Sequence, residues 1–229
     1  MKTHNPQAGN VFFIILIGIV MFAALMFTFS RSARQSTESL GSRETELAIS
    51  EMLNYSQKIE RGIQRILGRS ISEADISFEN DVDAIYANGN CSDDRCKVFS
   101  PDGGAVRRQE PPPGINTGQP YFFAPNRVGS FDNTTKQIGT SARDLVLITP
   151  VTFETCNIIN SMTDKLTTWE SNGSHNATVP FTGNYESAPG TVIANGNSTN
   201  QPLSGCFCDG TAPCDASDNS FFYSVILVR

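Results

Sequence analysis

Hydrophobic residues follow different patterns in successive parts of the chain. Residues 11–29, VFFIILIGIVMFAALMFTF, form an apolar run without a single charge. A helix rises about 1.5 Å per residue, so roughly 20 apolar residues cross the ~30 Å hydrocarbon core of a bilayer. The run is longer than the apolar core of a cleaved secretory signal, and the residues after it, FTFSR, make a poor cleavage site. The pattern therefore predicts a retained transmembrane helix.

A second pattern begins at Glu44, where apolar residues recur at helical spacing. The members of this stripe are Ile49, Met52, Leu53, Ile59, Ile63, Ile66 and Leu67. Gly68 follows it and favours the end of the helix. The simplest interpretation is one helix over residues 11–67, with its first half in lipid and its second half packed against a domain. The alternative is two helices separated by a flexible linker at residues 31–43, which contains Gly41.

Beyond residue 70 the pattern predicts short strands separated by turns. The predicted elements are a brief strand at 75–80, a β-hairpin with arms 96–100 and 105–109 around the turn 101–104, strands at 121–123, 144–149 and 221–228, and a short helix at 153–162 capped by Thr152. Residues 170–200 are rich in Asn, Gly, Ser and Thr and predict a long surface loop. The predicted fold class is α+β, a long N-terminal helix packed on a C-terminal antiparallel sheet.

The charge distribution excludes one class of function. Three of the 17 basic residues and none of the 23 acidic ones lie in residues 1–37, so the remainder carries a formal charge of about −9. Nucleic-acid binding needs a basic footprint for the phosphates, and we therefore expect no nucleic-acid partner.

The cysteine count indicates the compartment. All six cysteines follow the apolar run, and they are Cys91, Cys96, Cys156, Cys206, Cys208 and Cys214. An even number in the translocated part of a membrane protein favours disulfides in an oxidising compartment, with free thiols or a metal site as alternatives. Arg31 and Arg34, just after the apolar run, by themselves favour the opposite orientation. We give more weight to the cysteines, which place the C-terminal side outside the cytoplasm.

The sequence resembles the type IV pilin and pseudopilin superfamily in its short leader ending in Gly9, its charge-free helix, its amphipathic continuation and its C-terminal strands. The resemblance implies cleavage by a prepilin peptidase after Gly9, with Asn10 as the mature N-terminus, and packing of the helix against its copies in a filament. Two positions depart from the family pattern. Asn10 replaces the usual Phe or Met, and Ile14 stands where most members have Glu, as in minor members placed at a filament tip.

A more specific similarity is to a group of pilin-like membrane proteins from alphaproteobacteria. The shared motifs are GNVFFIILIGIVMFAAL at residues 9–25, ISFEN at 76–80, CKVFSPDGG at 96–104 and FFYSVILVR at 221–229. The resemblance implies a leader or cytoplasmic tail at 1–9, a transmembrane helix at 10–30, its periplasmic continuation at 31–68 and a globular head at 69–229. It also implies the bacterial inner membrane as location, with the head in the periplasm.

The ring sizes suggest a hypothesis for the pairing of the cysteines, and the resemblance to pseudopilins suggests a use for the acidic loop. In this hypothesis Cys208 pairs with Cys214, Cys91 with Cys96, and Cys156 with Cys206. Some pseudopilins hold calcium near a C-terminal loop, and here Asp209, Asp215 and Asp218 are the candidate oxygen ligands. A solvated loop tied by a disulfide is the alternative, and no other cofactor is expected.

Candidate catalytic chemistry is sparse. His175 lies in a polar loop, and the sequence contains no GxSxG, HExxH or P-loop motif. We therefore predict no enzyme. The leading hypothesis is a minor pilin or pseudopilin-type structural subunit of a type IV pilus or type II secretion-like assembly, whose partners are other pilin-like subunits. The alternative is a membrane-tethered periplasmic binding domain that does not polymerise, with residues 121–123 and 170–200 as contacts.

Overall fold

The computed structural model describes residues 8–129, 138, 143–163, 179–185, 192–194, 203–209 and 215–229, with the backbone alone at 8–14, 23–40, 42, 129, 192 and 194. The chain divides into two compact units, Met1–Glu44 and Thr45–Arg229.

Helix α1, Ala8–Leu67, is the longest element of the described chain. The predicted transmembrane segment lies within it, and side chains of that segment are described only at residues 15–22. Among the residues that the structure describes, no helix combines the length and the hydrophobicity that a membrane span requires.

The second unit contains a five-stranded sheet. Its strands are β1 Phe122–Gly129, β2 Asp144–Val151, β3 Val192–Ala194, β4 Ser204–Cys208 and β5 Ser220–Leu227, in the order β3-β1-β2-β5-β4. The pairs β1–β2, β2–β5 and β4–β5 are antiparallel, whereas the short β3 runs parallel to β1. The predicted α+β class with an antiparallel sheet is thus confirmed for this unit.

Strand β2 shows why the sheet has two covered faces. Successive side chains of a strand point to opposite sides. Leu145 and Leu147 accordingly join the core that contains the helix, while Val146 and Ile148 join a second cluster with Tyr223. The near-continuous apolar run of β2 therefore reflects burial on both faces.

The part of α1 in the second unit packs on this sheet through one stripe. The buried members are Ile49, Met52, Tyr55, Ile59, Ile63 and Ile66. Leu53 and Leu67 are partly buried against the same core. The helical spacing in the sequence thus identified the buried face, apart from Tyr55.

Tyr55 can be buried in this stripe because its hydroxyl group forms a hydrogen bond inside the protein. Its hydroxyl oxygen accepts a hydrogen bond from the Gln109 N–H at 3.2 Å, and its ring centroid lies 4.8 Å from that of Tyr121. Burial raises the pKa of Tyr55 to about 12, so the hydroxyl stays neutral at physiological pH.

Helix α2, Phe153–Met162, begins and ends at the residues predicted from the sequence. The Thr152 hydroxyl oxygen accepts the Thr155 N–H at 3.2 Å, which satisfies one of the free donors in the first turn. At the other end of the helix, the Asn160 Oδ1 accepts the Cys206 N–H at 2.8 Å and attaches α2 to β4.

The predicted hairpin and the strand at 75–80 are both incorrect. No named strand occurs over residues 68–121, and Ser77 and Lys97 form only an isolated bridge. Short 3-10 helices at Glu73–Asp75 and Asp94–Cys96 occupy the places where strands would begin. The tight turn itself is present, because the Val106 N–H donates to the Val98 carbonyl at 3.2 Å.

Two helical glycines provide a matched test of the packing of α1. A Cβ at Gly62 would lie 2.4 Å from the Val106 Cγ2, whereas a Cβ at Gly41 would meet nothing within 4 Å. Alanine favours a helix over glycine by about 1 kcal/mol, and overpacking costs about 1–3 kcal/mol. We expect Gly62→Ala to lower the free energy of unfolding by about 1–3 kcal/mol relative to Gly41→Ala, measured by urea denaturation. Equal free energies of unfolding for the two variants would show that the Val106 side chain moves aside without loss of stability.

Candidate functional site

A cleft of about 570 Å³ lies beside the tight turn at residues 101–104. The turn closes because the Gly104 N–H donates to the Lys97 carbonyl at 3.0 Å and the Ala105 N–H donates to the Ser100 carbonyl at 2.8 Å. A Cβ at Gly103 would lie 2.0 Å from the Lys97 oxygen, so only glycine fits this position. The CKVFSPDGG segment therefore forms one side of the cleft.

Two cations of the cleft, Lys97 and Arg108, pair with carboxylates. The Lys97 Nζ lies 3.1 Å from Asp94 and 3.4 Å from Glu79. The hydrogen bond with Asp94 is the main cause of a raised Lys97 pKa, so this amine stays protonated. The Arg108 guanidinium contacts Asp83 at 3.3 Å and also pairs with Glu110.

These ion pairs limit which charged groups of the cleft are available to a ligand. No histidine or cysteine lines it, and Lys97 and Arg108 are each held by neighbouring carboxylates. The arrangement holds together the loop segments that line the cleft.

Two disulfides are present in the described residues, and both join pairs that the sequence analysis proposed. Cys91 and Cys96 close a small ring with a Cα–Cα distance of 5.7 Å. Cys156 and Cys206 lie 5.5 Å apart between Cα atoms and connect α2 to β4. Cys208 is also disulfide-bonded, and its proposed partner Cys214 lies outside the described residues.

The candidate calcium ligands are engaged in hydrogen bonds. Asp209 accepts both the N–H and the side-chain amide of Asn219, at 3.0 and 2.8 Å. Asp218 accepts the Asp215 N–H at 2.9 Å, and Asp215 accepts the Ser217 N–H at 2.7 Å. The described part of the chain contains no cluster of three or more side chains arranged to hold a metal ion. The calcium site remains a prediction.

Other predicted positions can be located only in part. Gly9 and Asn10 lie within α1, where the backbone alone is described. His175 and most of residues 170–200 lie outside the described residues. Tyr121 and Phe123, predicted as contacts of a binding domain, are buried in the core of the second unit.

The first unit presents an exposed apolar surface. Every described side chain from residue 15 to residue 22 of α1 is exposed. Ile19 exposes 65% of its surface and Phe22 exposes 62%. Eight consecutive residues cover more than two helical turns, so this segment is apolar around its whole circumference.

Comparison of the chain with protein-family models, with curated proteins and with solved structures found no match.

A charge cluster around the buried Asp144 was not predicted from the sequence. Asp144 is 1% exposed, and its Oδ1 accepts the Arg229 N–H at 3.0 Å. The Arg229 guanidinium binds Glu73 at 2.7 Å and lies 3.7 Å from the centroid of the Tyr185 ring. These residues are far apart in sequence, and no local pattern connects them.

Burial of Asp144 predicts a specific pH dependence. Loss of hydration raises the pKa of Asp144 to about 6, against the opposing effects of the Arg229 N–H and charge. The unfolded value is about 3.9, so the native state binds more protons between pH 4 and 6 and stability falls as pH rises through this range. The loss approaches 3 kcal/mol at about 1.4 kcal/mol per pKa unit.

Asp144→Asn keeps an acceptor oxygen for the Arg229 N–H but cannot ionise. We expect the stability of the variant relative to the native protein to increase by about 3 kcal/mol between pH 4 and 7, measured by urea denaturation at each pH. A stability difference that does not change with pH would contradict an ionised, buried Asp144.

Proposed function

We propose that the protein is a pilin-like structural subunit, of the minor pilin or pseudopilin type, anchored in a bacterial inner membrane. The observation that carries the proposal is the exposed apolar segment of α1 at residues 15–22. Apolar surface in water costs about 25 cal/mol per Å², and a helix that is apolar all round is typical of a membrane span or a helical core.

Two environments remove this surface from water, and a pilin-like subunit uses both in turn. Lipid covers the segment before assembly, and helices of other subunits cover it within a filament. Because lipid tails are as apolar as the side chains, helix association in a membrane depends on close packing instead. The small residues Gly18, Ala23 and Ala24 favour the close approach of a second helix.

The second unit supports placement of the head outside the cytoplasm. Disulfides persist in oxidising compartments such as the periplasm, and the Cys91–Cys96 and Cys156–Cys206 bonds belong to this unit. In the proposed arrangement the chain enters a type IV pilus or type II secretion-like assembly through α1, while the disulfide-bonded head faces the periplasm.

Processing at Gly9 tests the proposal directly. We expect the membrane-extracted protein to begin at Asn10 when its N-terminus is sequenced, and to remain in the membrane pellet after alkaline extraction. Gly9→Leu should block the cut and leave the leader in place, whereas the control Gly18→Ala should be processed normally. An intact Met1, or a start after Ser30, would contradict a pilin-like subunit and favour a tethered binding domain or a secreted protein.

Assembly through α1 predicts contacts between copies in the apolar segment. Ile19→Cys should form disulfide-linked dimers when cells that contain the assembly machinery are oxidised. Val82→Cys, equally exposed on the second unit, is the matched control and should remain monomeric. Cross-linking is read on nonreducing gels. Monomers from both variants, in a protein that is processed at Gly9, would indicate an anchored domain that does not polymerise.

A further inference from the structure

A second depression, which shares Val106 and Arg107 with the cleft, is lined by basic side chains. This basic groove has a volume of about 310 Å³ and lies between α1 and the turn at residues 104–107. Lys58, Arg61 and Arg65 line it from the helix, and Arg107 lines it from the turn. Its two sides approach closely because Gly62 has no side chain to separate them.

The four cations of the basic groove differ in their surroundings from the paired cations of the second unit. Lys97, Arg95, Arg108 and Arg229 each lie within 4 Å of a carboxylate. Within the described part of the chain, the cations of the basic groove form no ion pair, and all four are exposed. The Arg61 Nε donates to the Gln57 carbonyl at 3.2 Å, which holds its stem against the helix. Four unpaired cations therefore gather in one place on a chain of net charge −6.

The spacing of these cations indicates the shape of a complementary anion. Lys58, Arg61 and Arg65 stand at positions i, i+3 and i+7, which lie on the same side of a helix. Seven residues correspond to about 10 Å along the helix axis. A single phosphate or carboxylate is too small to contact all three. An extended peptide advances about 3.3 Å per residue, so about four residues span this row.

The lining of the groove also favours carboxylates over nucleic acid. Guanidinium groups bind carboxylates through paired hydrogen bonds. No aromatic side chain lines the groove, and stacking on aromatic residues is the usual way to hold unpaired bases. The acidic remainder of the chain would repel a long polyanion that extends beyond the groove.

We infer that the basic groove is a docking site for an acidic peptide segment of a partner protein. The carboxylates of about four residues pair with Arg61, Arg65 and the flanking cations Lys58 and Arg107. Lys97 and Arg108 of the cleft are already paired with carboxylates, so Arg107, which the two depressions share, is the cleft cation that takes part in this contact. The inference goes beyond the proposed function and does not depend on filament assembly.

The test uses the full chain in a zwitterionic detergent and a fluorescein-labelled peptide containing four consecutive glutamates. We expect fluorescence anisotropy to show binding that weakens with salt, and no binding of the matched glutamine peptide. Arg61→Gln/Arg65→Gln should weaken binding about five- to tenfold, because each exposed charge pair contributes up to about 1 kcal/mol. The control Arg43→Gln/Arg95→Gln changes the net charge equally outside the groove and should bind within twofold of the native protein.

A charge-reversed variant distinguishes a specific contact from a loss of folding. Arg61→Glu/Arg65→Glu should lose the glutamate peptide and bind a tetralysine peptide instead. Equal weakening in the control variant would overturn the inference in favour of nonspecific attraction. Groove-dependent binding of tripolyphosphate, or of phosphatidylglycerol vesicles, without binding of the glutamate peptide would overturn it in favour of a phosphate ligand or a lipid surface.

Discussion

The second unit depends on the burial of one stripe of α1 against the sheet. Ile49, Ile59 and Ile66 are inaccessible to solvent and share a core with side chains of β2 and β5. Each such side chain contributes about 1.5–3 kcal/mol through loss of contact with water, far more than any exposed ion pair of the head. The close approach at Gly62 follows from the same packing. It brings the 101–107 turn against the helix, and the basic groove is formed by that contact.

Residues 69–121 show how a segment without strands is held in place. Backbone groups there are satisfied by side chains as well as by neighbouring backbone. The Tyr86 hydroxyl oxygen accepts the Phe123 N–H at 3.2 Å, and the Asn88 side-chain amide donates to the Ala74 and Ile76 carbonyls at 2.8 Å. A buried polar atom without a partner costs about 1–3 kcal/mol, so these bonds fix the loop conformation even where each adds little net stability. The irregular segment is therefore ordered by a few long side chains whose polar ends reach the backbone.

The sequence was informative wherever a local pattern determines the structure. Helical spacing identified the buried stripe of α1, and Thr152 identified the start of α2, because a capping hydroxyl acts within one turn. Alternation or continuous hydrophobicity located β2, β5 and the first two residues of β1. The hairpin prediction was wrong because turn residues specify a reversal of the chain but not the length of paired strand beside it. The parallel strand β3 and the Asp144–Arg229 contact depend on residues distant in sequence. The basic groove was missed for the same reason, since Arg107 joins the helix cations only after folding.

The hydrogen bond between Asn160 and Cys206 affects whether another strand can be added to the sheet. Strand β4 is an edge strand, and an edge with free N–H groups is a template on which another chain can add a strand. Helix α2 lies against β4, its Asn160 oxygen occupies the Cys206 N–H, and the Cys156–Cys206 bond holds the helix there covalently. The sheet is thereby closed to strand addition at Cys206, on the β4 side. A strand added beside β4 would lack the Cys206 N–H as a donor, which disfavours the indefinite backbone pairing of an amyloid at this edge.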